Sequence, residues 1–543
     1  MPPRKKELLK PKPKGKLKAS EPQSENDFLE AADDHEQAAG KWRAGDAAKA
    51  TRFFNRAIDM YNAGLKQFPQ SFDLAYNKAN LEFNLTEDER IVPHLGNRAR
   101  LLEETLQSHR FAMSLNPNNM DILFNTAQVL TALAEAHLEA GSTTAADKSQ
   151  ARPLLEEAVQ IFTNCLEKQQ QEYAQMQDQI AKAQASGEYR EAWEGERQEL
   201  PKEDDMDDAS SASEGPGDWA TVEEPLTPES ILETCTAHLN ALTTLLGLYD
   251  PNTDLPSMEK KAQDGLETAN NRIPALLDLI SRSPAPAAPQ EPKAGPTLSI
   301  SSTAAPEESS TTPQDDALLA AASFQASMAE VAYRSGRSTP SAYAETVERI
   351  FNSLGSTTST TTVPTLAALN IQSAYADSLI DLASSLSSPS HPNPTTTTTQ
   401  WTALTQAQTL LTTLSSPPHS TLLPPSRLAS IFLARGDIDL SRLRLSHSPD
   451  ANPAWVKNRP VLLANAGVFY RGGRSYAERA GAREVQRLAD AKAVVVRVLK
   501  EGGVGGGALG SGMRGEVERV LGQMVEEGVV GLEDGEGVLG ALR

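Results

Sequence analysis

Asp73-Leu74-Ala75-Tyr76-Asn77-Lys78-Ala79 and Asp121-Ile122-Leu123-Phe124-Asn125-Thr126-Ala127 are near copies of one another. Each runs acid, aliphatic, apolar, aromatic, asparagine, polar, alanine, and each opens a segment with apolar residues at helical spacing. The periodicity predicts helices over 72–85 and 120–140. Near copies within one chain point to internal repetition, which has to be settled before any other pattern is read.

Working outward, helices are predicted over 27–44 and 46–68, separated by the turn signal Gly45-Asp46 and stopped by Pro69. A further helix over 98–115 ends at Asn116-Pro117-Asn118-Asn119, Gly141 closes the helix begun at 120, and a long one covers 151–185. Beyond an acidic stretch the pairs continue: 227–248 with 257–280, 317–334 with 341–354, and 365–386 with 401–414. Segments 426–445, 460–471 with 475–499, and 513–542 complete the chain. Strand-like alternation of β-branched residues never persists beyond four or five positions, so the expected class is all-α, a solenoid of about six to eight helix pairs.

Helix pairs recurring every 34–45 residues or so resemble tetratricopeptide repeats. Gly45 sits at the turn between the first A and B helices, and Ala50, Phe54 and Ala57 keep the small–aromatic–small spacing of helix B. Ala158 and Phe162, with Cys165, repeat that spacing; Ala79, Ala112 and Ala127 take small positions, and Pro69 and Pro117 end repeats. Small residues allow helices to cross closely while aromatics fill the groove between pairs. The first B helix is about two turns too long for the pattern, and no Trp stands at the usual helix-A position.

The resemblance implies a concave groove, lined by A helices, that holds an extended peptide or another protein's helix. Tyr76, Asn77, Phe124 and Asn125 are the candidate groove residues. The two asparagines are suited either to bonding a ligand backbone or to a bond within their own helical framework. In the subset of the family that clamps chaperone C-termini, lysines and an arginine hold the terminal carboxylate. This chain offers His35, Ala39, Asn77, Asp121 and Asn125 at those places. Without the cations a carboxylate has no partner to offset its desolvation, so that ligand is not expected.

The 543 residues are 39% hydrophobic and 5% aromatic, below the apolar share of an ordinary globular chain, so part of the length cannot bury a core. Residues 1–26 form a basic tail; residues 1–18 carry eight cations against Glu7. Helix pairs over 27–185 precede an acidic insert over 186–227, then a pair over 228–281 and a Pro/Ser-rich linker over 282–314. Further pairs with low-complexity inserts fill 315–500, followed by a Gly-rich linker over 501–512 and a terminal helix over 513–543. The insert is dense in acid: 15 acidic against 3 basic residues between positions 186 and 229. Tail, insert and linkers are expected to be disordered. Within the insert, Trp219 and Val222 suggest a segment that docks back as a lid, with Thr227 and Pro228 starting the next helix.

Motifs for chemistry are scarce. The eight histidines make no H-x-x-x-H pair and the two cysteines, Cys165 and Cys235, have no CxxC partner, so no metal is expected. Gly505-Gly506-Gly507-Ala508-Leu509-Gly510 fits a dinucleotide-binding pattern only by composition, because no βαβ unit can follow it. No cofactor and no enzymatic activity are expected. A net charge of −21 disfavours indiscriminate binding to nucleic acid or anionic membranes, and no apolar run is long enough to span a bilayer. The expected function is therefore a protein-binding adaptor or assembly chaperone for a basic client, in the cytoplasm or nucleus. The alternative is a subunit of an RNA-processing or ribosome-biogenesis complex that touches RNA through residues 4–18. The tail reads equally as an import signal, and the insert as a shield for a basic client or as a solubilising spacer.

Overall fold

The computed structural model describes residues 22–138, 145–186, 226–250, 253–282, 311–358, 365–387, 394–449, 451–501 and 511–542. Among them every regular element is helical and no strand occurs. The basic tail to residue 21, the insert over 187–225 with the expected lid, and the Gly-rich linker over 502–510 lie outside the described residues. The chain divides into two compact units at Val129/Leu130.

The first unit contains α1 (Glu25–Arg43), α2 (Ala47–Gln67), α3 (Phe72–Thr86), the single turn α4 (Val92–Leu95), α5 (Arg98–Leu115) and the start of α6 (Met120–Leu138). Starts are set by capping. Ser24 and Asp27 form a capping box, Asp46 accepts from the Lys49 amide at 2.9 Å, and Ser71 accepts from that of Leu74 at 3.1 Å. α1 packs on α2 and α3 on α5, the antiparallel pairing that the repeat demands. Ala50, Phe54 and Ala57 are buried in one cluster with Phe28, Ala32 and Leu74. Ala79, Ala112 and Ala127 are fully buried where neighbouring helices approach. At Gly64 a methyl group would lie 2.9 Å from Leu74 Cδ1 and 3.0 Å from Phe28 Cβ, so glycine is what lets α2 approach α1 and α3.

The second unit continues with α7 (Ala145–Ser186), α8 (Pro228–Leu248), α9 (Leu255–Glu267), α10 (Ile273–Arg282), α11 (Pro313–Arg334) and α12 (Pro340–Thr358). It ends with α13 (Leu366–Ser385), α14 (Pro394–Leu414), α15 (Pro425–Ser446), α16 (Pro453–Ala480), α17 (Arg483–Lys500), α18 (Ser511–Glu526) and α19 (Leu532–Leu542). Successive helices again pack on one another, giving a repeat-like all-α arrangement. Ala158 and Phe162 are buried on α7, and Thr227 caps α8 with Pro228 at its first turn.

Several boundaries differ from the sequence reading. The helix expected over 257–280 contains a π-helical turn, Thr268–Arg272. α14 begins at Pro394 and takes in the whole threonine run, whose hydroxyls bond back into the helix; Thr399 reaches the Thr395 carbonyl at 3.0 Å and Thr402 that of Thr398 at 2.9 Å. α16 runs unbroken through Pro460 and Gly472-Gly473, where a break was expected. Its first turns are held by Trp455 stacked on Trp401, ring centroids 4.3 Å apart. The single helix expected over 513–543 is two, divided near Gly528, whose φ is 70°.

Candidate functional site

In the first unit the predicted groove residues lie on α3 and α6. The Asn125 amide nitrogen donates to Tyr76 Oη across 3.4 Å, joining α6 to α3. Tyr76 also packs on Phe72, ring centroids 5.6 Å apart. The Asn77 amide donates to the Asp73 carbonyl at 2.8 Å, a bond within its own helix. Phe124 is half-buried on α6. Tyr76 and Asn125 are thus brought together, while the bond made by Asn77 stays within α3. Gly45 and Asp46 close the α1–α2 turn by donating to the Trp42 carbonyl at 3.0 and 2.7 Å. Pro69 and Pro117 are exposed just past the ends of α2 and α5.

Acids that the sequence reading did not single out stand on α1 and α3. Burial pushes Glu36 on α1 up to about 7, against the opposing effect of the Tyr61 hydroxyl, which donates to it at 2.7 Å; nearby Asp33 adds to the rise. On α3, Asp73 is raised by burial and then by Glu25, and the Tyr76 hydroxyl is raised by burial and then by Asp121. No cation stands among the influences on Glu36 or Asp73. In sequence these acids look like ordinary solvated helix positions. The one available signal was that Asp33 and Glu36, three apart, share a helix face.

The second unit holds an acidic recess of its own. A cavity of about 260 Å³ is lined by Asp381, Gln400, Asp437, Arg444 and Glu527 among others. Asp377 and Asp381 stand one turn apart on α13. Both side chains reach the surface, yet the protein crowded around them raises Asp377 to about 6 despite Arg427 and Asp381 to about 7, with Glu330 and Asp377 adding repulsion. On the cavity wall Asp437 is neutralised instead. Lys492 Nζ donates to both its oxygens at 2.9 and 2.8 Å, and the fully buried Tyr470 donates at 2.7 Å. A larger cavity of about 550 Å³ has an apolar floor that includes Met258, Met328 and Val331, with Glu259 paired to Arg337 at its rim.

Cys235, His238 and Cys165 lie in the core. Burial pushes the Cys235 thiol up to about 12 and the His238 imidazole down to about 3, and Cys165 is buried and forms no disulfide. Among the described residues no group of three or more His, Cys, Asp or Glu side chains is arranged to hold a metal ion, and no helix is long and apolar enough to cross a membrane.

A helical-repeat architecture with acidic faces is thus the class of molecule at hand. No known family profile matches the chain. Over 155 residues it is 27% identical to the fission yeast protein named UPF0656 protein C926.02 (Schizosaccharomyces pombe); the match covers 28% of this chain and 33% of that one. The chain therefore spans about a third of the length of that relative. Among solved structures, a circular tandem repeat protein with novel repeat topology aligns over 95% of this chain and 99% of its own. Its identity is 13% and its TM-score 0.26, too low to bear on the fold.

Proposed function

We propose that this chain is a non-catalytic adaptor or assembly chaperone that holds a basic segment of another protein against the face of α1, α3 and α6, in the manner of a tetratricopeptide-repeat groove. One observation carries this reading: half-buried Glu36 and Asp73, exposed at the first turn of α3, are both raised by the crowding of the protein around them and by neighbouring acids, with no cation opposing the rise. Such carboxylates gain when a lysine or arginine arrives, because the ligand supplies the countercharge that the fold withholds. Asn125 and Tyr76 lie on the same face to receive backbone groups of an extended segment. The carboxylates on α13 offer basic side chains a second place of the same chemistry. The cytoplasm and nucleus are the compartments that suit such a role.

Affinity purification of the tagged full-length chain at moderate salt, with and without RNase, tests this reading. A near-stoichiometric basic protein that survives RNase and is lost with Glu36→Gln/Asp73→Asn is the expected outcome; an unchanged yield with the double variant refutes the groove. The second reading, RNA contact through residues 4–18, is favoured by the eight cations of that tail. It predicts instead a set of factors released by RNase and by added salt.

A further inference from the structure

In a chain of net charge −21, residues 453–500 carry ten lysines and arginines against three acids. They form α16 and α17, antiparallel neighbours whose register is fixed by the Arg474–Asp490 ion pair at 2.8 Å and by Gly467, where an added methyl would meet Val496 at 3.2 Å. That register sets Arg497 and Lys500 level with Ala464, and Arg483 level with the end of α16.

The solvent side of α16 has a pattern. Lys457, Val461, Ala464, Val468 and Arg471 follow one another at three- and four-residue steps, all exposed, making a ridge roughly 21 Å long at 1.5 Å per residue. Val461 is 56% and Val468 53% exposed, and Val456 nearby is 39% exposed. Single exposed valines are ordinary, but a helical stripe of them bracketed by cations is not. Lys457, Arg471, Arg483, Arg497 and Lys500 are exposed and make no ion pair among the described residues. On the opposite flank, toward α15, the α16 positions Asn458, Asn465 and Gly472 are uncharged, and the Arg435 guanidinium of α15 is stacked over Phe469 at 4.0 Å.

We propose that this face of α16 and α17 docks an acidic amphipathic helix of a partner protein, a site separate from the groove argued above. The partner's apolar residues, at i, i+3 or i+4, and i+7, pack on Val461, Ala464 and Val468. Its carboxylates meet Arg497 and Lys500 along one side and Lys457 and Arg471 at the ends. A nucleic-acid backbone fits the same charges poorly. The ridge itself, Val461, Ala464 and Val468, offers a phosphate no donor to replace its water, and it has no exposed aromatic on which a base could stack. Of the nearest aromatics, Trp455 is already stacked on Trp401.

The test is fluorescence anisotropy with the full chain and three labelled probes. The first is a helical peptide of leucines at i, i+3, i+7 and i+10 flanked by glutamates; the second is a scrambled peptide of identical composition; the third is a 20-nucleotide oligouridylate. The patterned peptide is expected to bind at least tenfold more tightly than the scramble. Val461→Asp/Val468→Asp and Arg471→Glu/Arg497→Glu should each weaken it at least tenfold, while Glu36→Gln/Asp73→Asn leaves it unchanged. That last variant separates failure here from failure of the groove. Absence of saturable binding, equal affinity for patterned and scrambled peptides, or oligouridylate that displaces the peptide and survives the valine substitutions overturns the proposal. Circular dichroism and Tm confirm folding of each variant, and if the aspartates disturb α16 the charge-reversal pair decides alone.

Discussion

Replacing Glu36 by glutamine should stabilise the fold and weaken its binding to a basic ligand. The carboxyl is raised from 4.5 to about 7, chiefly by burial, so the folded chain holds a proton there that the unfolded chain has already released. The favourable contribution of the neutral form is complete below the unfolded value near 4.5 and is lost as pH rises through about 7. At 1.36 kcal/mol per unit the full difference sets a ceiling of about 3 kcal/mol. Because Glu36 keeps some contact with water, an expected gain of about 1–2 kcal/mol at pH 8 is more realistic. Glutamine retains an oxygen to accept the Tyr61 hydroxyl, so the change removes the charge and little else. Since the chain has two units, protection should be read locally, by hydrogen exchange of α1 and α2 peptides at pH 8 and pH 4.5. Slower exchange in the variant at pH 8, with the advantage gone at pH 4.5, is the expected result. Loss of protection at pH 8, or the same gain at both pH values, would refute the assignment of an unneutralised buried carboxylate.

Lys492→Met leaves Asp437 with Tyr470 alone and should cost about 3 kcal/mol in urea denaturation, while adding Asp437→Asn should recover most of it; a loss under about 1 kcal/mol would show the pair to be well solvated. Gly436→Ala would drive a methyl to 2.4 Å from Tyr470 Cε1, on a ring with no room to retreat, and should cost about 2 kcal/mol; an unchanged Tm would place that ring elsewhere. Recovery of a basic client should fall as pH drops from 7.5 to 5.5, where Glu36, Asp377 and Asp381 take up protons; pH-independent recovery would remove these carboxylates from the interface.

Helix starts were legible because they rest on local chemistry: Ser24, Asp46, Thr227 and Thr365 each cap from their own side chain. The misread boundaries involve residues whose role depends on distant neighbours. Gly472-Gly473 reads as a break, yet an added methyl on Gly472 would touch the Phe432 ring at 2.8 Å, and Gly473 faces the Ala429 carbonyl. Both glycines serve close packing of α16 on α15 inside one continuous helix. Of the candidate site, Tyr76 and Asn125 were found through the repeated heptapeptide, since repetition fixes register. The acids were not, because Glu36 and Asp381 owe their character to burial and to acids on other turns and helices, which no local window contains.

The contrast between two kinds of acid separates structure from function in this molecule. Asp437 is surrounded by what a buried carboxylate needs, two bonds from an ammonium and one from a phenol, and its partners are as buried as it is. That arrangement is complete and asks for nothing further. Glu36 and Asp381 are instead lifted to about 7 chiefly by loss of water around them, with neighbouring carboxylates adding to the rise, which leaves them poorly charged at neutral pH. A fold that needed only stability would replace such groups by amides or alkyl side chains at no loss. Their presence is explained if the missing countercharge arrives with a partner. Binding then recovers the energy withheld in the free chain, in proportion to the number of lysines and arginines that reach these sites. An un-neutralised acid, more than net charge or repeat spacing, is therefore the feature by which to choose residues for mutation.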